Sequence, residues 1–202
     1  MIDTLIVCAL EQETNNQLND YNVLYTGVGK VNSTFELTRH FMIYGFPKLV
    51  INYGTAGSRD LPIGELVECG RFVQRDMDVS PLGFPRGTTP FDKTASVLGD
   101  AHFIDSLVVG SGDSFVINKK EYEGIDVFDM EAFCIAKICD KWNIPFKCYK
   151  YITDNADEKS PNDWEQNVSD GILEFKKILD EVYNTTSNQE IRFRVSWKSV
   201  WW

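Results

Sequence analysis

The chain contains no apolar run near the roughly 20 residues that a membrane-crossing helix needs. Its first run, TLIVCAL at 4–10, stops at Glu11, so no membrane partner is expected. Met1–Leu10 also lacks a basic leader region, which predicts no signal peptide. Basic residues are in deficit: 20 Lys and Arg stand against 30 Asp and Glu, a formal net charge of −10. That balance opposes contact with a phosphate backbone, so no nucleic-acid partner is expected. Cysteine is sparse and odd in number, five in all, with no CxxC spacing. Cys8, Cys69, Cys134, Cys139 and Cys148 therefore read as reduced thiols in a reducing, cytoplasmic compartment. The two histidines, His40 and His102, are far apart and lack ligand spacing, so no metal site is expected. Repeats and low-complexity tracts are missing as well.

What is present is one domain's worth of alternating strand and helix patterns in 202 residues. Buried strands are predicted at 4–10, 48–57 and 145–154, each a largely apolar run, and a strand at 22–26 precedes a Gly-x-Gly turn. The stretch 65–79 reads as one long strand or two bent ones, and 106–116 as a strand entering a glycine turn. A helix is predicted over 33–45, with Phe35, Leu37, Phe41, Met42 and Tyr44 on one side and Gly45 ending it. The segment 125–143 begins extended and turns helical near Met130. A further amphipathic helix spans 164–184, with Ile172, Phe175, Ile178, Leu179 and Val182 at 3–4 spacing. These units predict a single α/β domain at 1–184, with a mixed, largely parallel central sheet flanked by helices. The tail at 185–202 is basic and aromatic, unlike the acidic body, and reads as an added strand or subunit contact.

In such sheets ligands collect at the carboxyl ends of strands. Four of those ends carry unusual residues: Glu11 and Glu13; the Gly27–Gly29 turn beside the Gly54–Gly57 turn; GSGDSF at 110–115; and Asp154. Each glycine turn alone also reads as a simple tight turn. Gly27-Val28-Gly29-Lys30 is not a P-loop, because the spacing before Lys30 is wrong and Val31 follows it. Glu11 and Glu13 suit a solvated helix N-terminus, where acids are favoured. Asp154 suits a turn or helix cap. A carboxylate ending a buried strand is costly, however, unless it has a partner or a task.

Taken in order, YTGVGKVNS, VINYGTAGS, RDMDVSPLGF, GSGDSFV, VFDMEAFCIAKIC and NIPFKCYKYITDNAD resemble the nucleoside phosphorylase/hydrolase superfamily. The member type most similar is the 5′-methylthioadenosine/S-adenosylhomocysteine nucleosidases, with the likeness running from Leu5 to about Val182. That resemblance implies hydrolysis of a purine nucleoside's N-glycosidic bond, without a cofactor, in a homodimer. It implies that Asp154 is the general acid that protonates N7 of the leaving purine, and that Glu13 is the base that activates water. Glu11, the first acid after the strand, is the rival for that role on the residues alone. Thr55 and Lys150 match positions that hold the water, where the family has Ser and Arg. Glu131 matches the carboxylate that grips the ribose hydroxyls, with Met130 against the sugar. Phe115 would stack on the purine, the Val116 backbone would read its edge, and Phe128 would belong to the core. Leu10, Val28, Leu82, Phe84, Pro90 and Trp164 match an apolar 5′ subsite, some of them reaching a neighbouring subunit's site from the 81–91 loop. Arg86 in that loop reads as a solvated arginine or as a partner for an acidic 5′ group.

The chain departs from the family by a short Glu13–Tyr25 segment and a trimmed 92–106 stretch. A phosphorylase of the same superfamily is the first alternative, yet Asn52 and Tyr53 precede the second glycine turn and no Gly-Asp-Pro loop occurs. A nucleoside-binding module without catalysis is the second; three carboxylates exceed what a neutral nucleoside needs.

Overall fold

A computed structural model describes residues 4–99 and 105–188. The chain order is β1 (Thr4–Cys8), α1 (Glu11–Thr14), β2 (Val23–Tyr25), α2 (Lys30–Tyr44), β3 (Leu49–Ser58) and β4 (Leu66–Gln74). Then come β5 (Val97–Gly99), β6 (Leu107–Ser111), β7 (Val127–Asp129), α3 (Ala132–Trp142), β8 (Phe146–Asp154), α4 (Ser160–Asn167) and α5 (Ile172–Asn188). His102 and the tail beyond 188 lie outside the described residues.

The eight strands make one mixed sheet in the order β2-β1-β3-β7-β6-β4-β5, with β8 bridging β3 and β4. β1, β2, β3 and β8 run parallel to one another, as do β4, β6 and β7. The two sets meet antiparallel, where β7 crosses the end of β3 and where β8 pairs with β4. β3, β7, β6, β4 and β8 thus close on themselves, and the β7–β3 crossing carries Asp129 towards the carboxyl ends of β3 and β8.

The apolar runs explain this arrangement. All five residues of β1 are buried between β2 and β3. α3 buries seven of its residues, including Phe133, Ile135 and Cys139. α5 sets Ile172, Phe175 and Leu179 against the sheet, with Phe175 stacked on Tyr53 at 4.2 Å. Each such side chain contributes about 1.5–3 kcal/mol by leaving water.

Three expectations need correction. The helix expected over 164–184 is two helices, α4 and α5. The break falls before Gly171, where a Cβ would sit 2.3 Å from the Tyr151 ring; the chain passes too close to that ring for any larger residue. The helix expected from 33 begins at Lys30, and of the side chains expected on its core face Leu37 and Phe41 are buried while Phe35, Met42 and Tyr44 are exposed. The single or bent strand expected at 65–79 ends at Gln74.

Candidate active site

Three strand ends and a short helix converge on a cleft of about 730 Å³, its open mouth included. Leu10, Glu13, Val28, Thr55, Phe115, Val116, Met130, Glu131, Asp154 and Trp164 all line it. Lys150 does not line it, and neither do Leu82, Phe84 or Pro90 from this chain's own 81–91 loop. Phe128 is both core and cleft wall.

Asp154 closes β8 and is 3% exposed. Its position depends on a bulge. Ala56 pairs with Ile152 but Gly57 pairs with Asp154, so Thr153 is an extra residue that re-aims the strand end. A Cβ on Gly57 would stand 2.5 Å from Asp154 Oδ1, so glycine is required beside the carboxyl. Ala156, in a left-handed conformation at φ 52°, donates its N–H to Oδ1 at 3.0 Å. Thr153 Oγ1 lies 3.0 Å from Oδ2. Asp154 therefore caps a turn and also faces the cleft. Burial pushes its pKa up, against the opposing hydrogen bonds from Ser160, Ala156 and Thr153. A carboxyl held above its ordinary range is suited to donating a proton.

Glu13 sits on α1 and is 4% exposed, whereas Glu11 faces solvent. Its Oε2 accepts the N–H groups of Ala9 and Leu10 at 3.1 and 3.0 Å. Its Oε1 accepts the Thr55 N–H at 2.8 Å and the Thr55 hydroxyl at 2.9 Å. The Trp164 indole N–H donates to that same hydroxyl oxygen at 2.9 Å. Of the two rival acids, Glu13 is the one the fold turns inward.

Glu131 lines the same cleft from the start of α3, with Oε1 accepting the Gly29 N–H at 2.7 Å. Burial first, then the neighbouring Asp129 charge, pushes its pKa up to about 8, despite the Lys150 charge and the Gly29 N–H. Asp129, two residues earlier in the same motif, went unassigned in the sequence. It pairs with the fully buried Lys150 at 2.8 Å and accepts the Ala132 N–H at 2.8 Å and the Ser111 hydroxyl. Burial opposes its charge, but Lys150 and these donors outweigh that and hold its pKa below the ordinary value. For Lys150, burial is likewise outweighed by Asp129, and its pKa is raised. Lys150 thus acts on the site from behind the wall, as the counter-charge to Asp129.

Lys30 ties together loops that neighbour the cleft-lining residues Val28, Arg75 and Ser114. Its ammonium pairs with Asp76 and with Asp113 at 2.9 Å, and its N–H meets Asp113 Oδ1 at 2.8 Å. The first glycine turn, the RDMD segment and the GSGD turn are thereby joined. Arg75, also unassigned before, is 2% exposed and spends its guanidinium on the Gly112 and Ser114 carbonyls, the Ser114 hydroxyl and Tyr122. Its place in a charged RDMD segment gave no sign that it would be buried.

The model of the phosphorylase superfamily matches residues 17–184. The chain belongs to that superfamily. An aminodeoxyfutalosine nucleosidase of Helicobacter pylori is 33% identical, with 68% of this chain and 69% of that one covered. A 5′-methylthioadenosine/S-adenosylhomocysteine nucleosidase of Buchnera aphidicola is 29% identical, with 81% of each covered. The crystal structure of the Helicobacter pylori 5′-methylthioadenosine/S-adenosylhomocysteine nucleosidase with butyl-thio-DADMe-Immucillin-A shares the fold: TM-score 0.79, 24% identity, 92% of this chain and 99% of that one. The α/β fold expected from the sequence is therefore that of the superfamily.

Proposed function

We propose that this chain hydrolyses the N-glycosidic bond of a purine nucleoside bearing an apolar 5′ substituent, such as 5′-methylthioadenosine. One observation carries the reading: Glu13 and Asp154, both buried, share a cleft with Glu131. Asp154 protonates N7 of the departing purine, which leaves poorly as an anion. Glu13 takes the proton of the attacking water. Glu131, ionised, accepts from the ribose hydroxyls and offsets the positive charge that grows on the sugar, an oxocarbenium-like species. Phe115 stacks on the base, with the Val116 backbone at its edge, and Met130 packs against the sugar. Thr55 holds the base and the water, and Lys150 supports them through Asp129.

Hydrolysis is favoured over phosphorolysis because Arg75 and Arg59 already spend guanidinium N–H groups on the protein, while the buried Arg75 Nε lacks a partner among the described residues. Arg75 is bound as described, and Arg59 gives its N–H groups to the Ile125, Lys119 and Tyr122 carbonyls. An apolar 5′ group is favoured by Leu10, Val28 and Trp164. Arg86 instead donates to the Arg75 carbonyl and lies 4.7 Å over the Tyr122 ring.

The unit we assign is residues 1–184, acting as a homodimer. α2 exposes Val31 at 78%, Phe35 at 63% and Met42 at 71%, and the 81–91 loop exposes Leu82 and Phe91. Apolar surface of this kind is costly unless covered. A second copy would cover it, and would bring Leu82, Phe84 and Pro90 to its partner's cleft. Sedimentation should give a dimer mass, and Phe35→Asp should give monomers; a monomeric parent protein refutes the assignment. Five buried free thiols support a cytoplasmic setting.

The deciding experiment incubates the protein with methylthioadenosine, adenosylhomocysteine, adenosine and inosine in phosphate-free buffer and follows free base. Release without phosphate, fastest from methylthioadenosine, is expected. Release that requires phosphate indicates a phosphorylase, and tight binding without release indicates a binding module.

A further inference from the structure

Glu13 has no spare acceptor site. A carboxylate offers about four lone-pair directions, and four donors fill them: the N–H groups of Ala9, Leu10 and Thr55, and the Thr55 hydroxyl. The three N–H groups belong to the backbone around β1 and within β3 and cannot turn away. To take a proton from water, Glu13 must be released by the Thr55 hydroxyl. Where that hydroxyl's single hydrogen points is limited by Trp164, whose indole N–H occupies one lone pair of the same oxygen. Trp164 is half-buried on α4, with its ring 6.4 Å from Phe115 across the cleft.

We propose that Trp164 is a positioning residue for the base, acting through Thr55. By anchoring the Thr55 oxygen, the indole N–H leaves the hydroxyl hydrogen two destinations. It points at Glu13 while the cleft is empty, or at the oxygen of the attacking water, which then donates to the vacated lone pair of Glu13. Donor and acceptor counts balance in both states, and no proton leaves Thr55. A phenyl ring would keep an aromatic, apolar wall, though a smaller one, but leave the Thr55 oxygen loose. The inference rests on the nucleosidase reading, so its test carries one readout that needs no turnover.

The first readout is the indole N–H resonance of Trp164 in the intact protein, assigned by its loss in Trp164→Phe. Thr55→Val should move it upfield; an unmoved resonance means that the bond is not made and overturns the proposal. The second is a double-mutant cycle on nucleoside hydrolysis. Trp164→Phe should lower kcat about tenfold, the scale of one neutral hydrogen bond, with little change in KM. In the Thr55→Val background the same change should have no further effect on kcat. Equal losses in both backgrounds, or a loss confined to KM, would make Trp164 merely a wall of the cleft and overturn the proposal. If the parent protein turns over no nucleoside, the functional reading fails, while the resonance still tests the bond.

Discussion

Glu131 should make this protein less stable as pH rises through neutrality. The residue is 8% exposed, and its carboxyl feels the Asp129 charge and is held at about 8 rather than its ordinary 4.5. Between those values the folded protein keeps a proton that the unfolded chain has lost. Stability linked to this group is thus complete below about pH 4.5 and is lost as pH rises through 8. The slope is about 1.4 kcal/mol per pH unit, or about 3 kcal/mol between pH 5 and 7.5. Glu131→Gln removes the ionisation yet keeps an oxygen to accept the Gly29 N–H. Urea melts of the ligand-free parent and variant across pH 5 to 8 isolate the effect. The gap between them should widen in the variant's favour by about that slope. A gap that is constant with pH would refute the reasoning, because it would mean that Glu131 is ionised in the folded state throughout. In the role proposed for it, the same carboxyl loses its proton to accept from both ribose hydroxyls. Binding near pH 7 should therefore release about one proton, measurable by titration calorimetry in buffers of different ionisation heat.

Asp154→Asn keeps the turn bond from Ala156 but removes the transferable proton, so kcat should fall by about 10²–10⁴ with the thermal midpoint little changed; an active variant would remove Asp154 as the acid. Lys150→Met leaves Asp129 buried without its counter-charge, and breaking a pair of this kind costs about 3–5 kcal/mol. A denaturant midpoint equal to the parent's would mean that Asp129 is neutralised in some other way.

Much of the site was legible because its residues stand at strand ends in a fixed order. The strand that runs into Asp154 is continuous in the sequence, and the cost of burying that acid was itself the clue. Choosing Glu13 over Glu11 took the resemblance, since both suit a helix start; the structure supplies the reason, because two turn N–H groups and β3 draw Glu13 inward. The helices were read less well where tertiary contacts override periodicity. The 3–4 spacing at 164–184 continues through Gly171, and nothing local reveals that Tyr151 lies against that glycine. On α2, Phe35 and Met42 look like core residues by their spacing, yet they face outward.

The charge balance of the site was not legible at all, because it depends on residues brought together from distant strands. Glu13, Asp129, Glu131 and Lys150 come from four elements, and one ammonium cannot neutralise three carboxylates. The fold divides the burden unevenly. Asp129 receives Lys150 and the α3 N–H groups and stays ionised. Glu13 receives four donors. Glu131 receives one N–H and holds a proton instead. If Glu131 meets the ribose as proposed, its most costly charge stays neutral until a nucleoside binds, and binding creates the anion that the proposed mechanism uses.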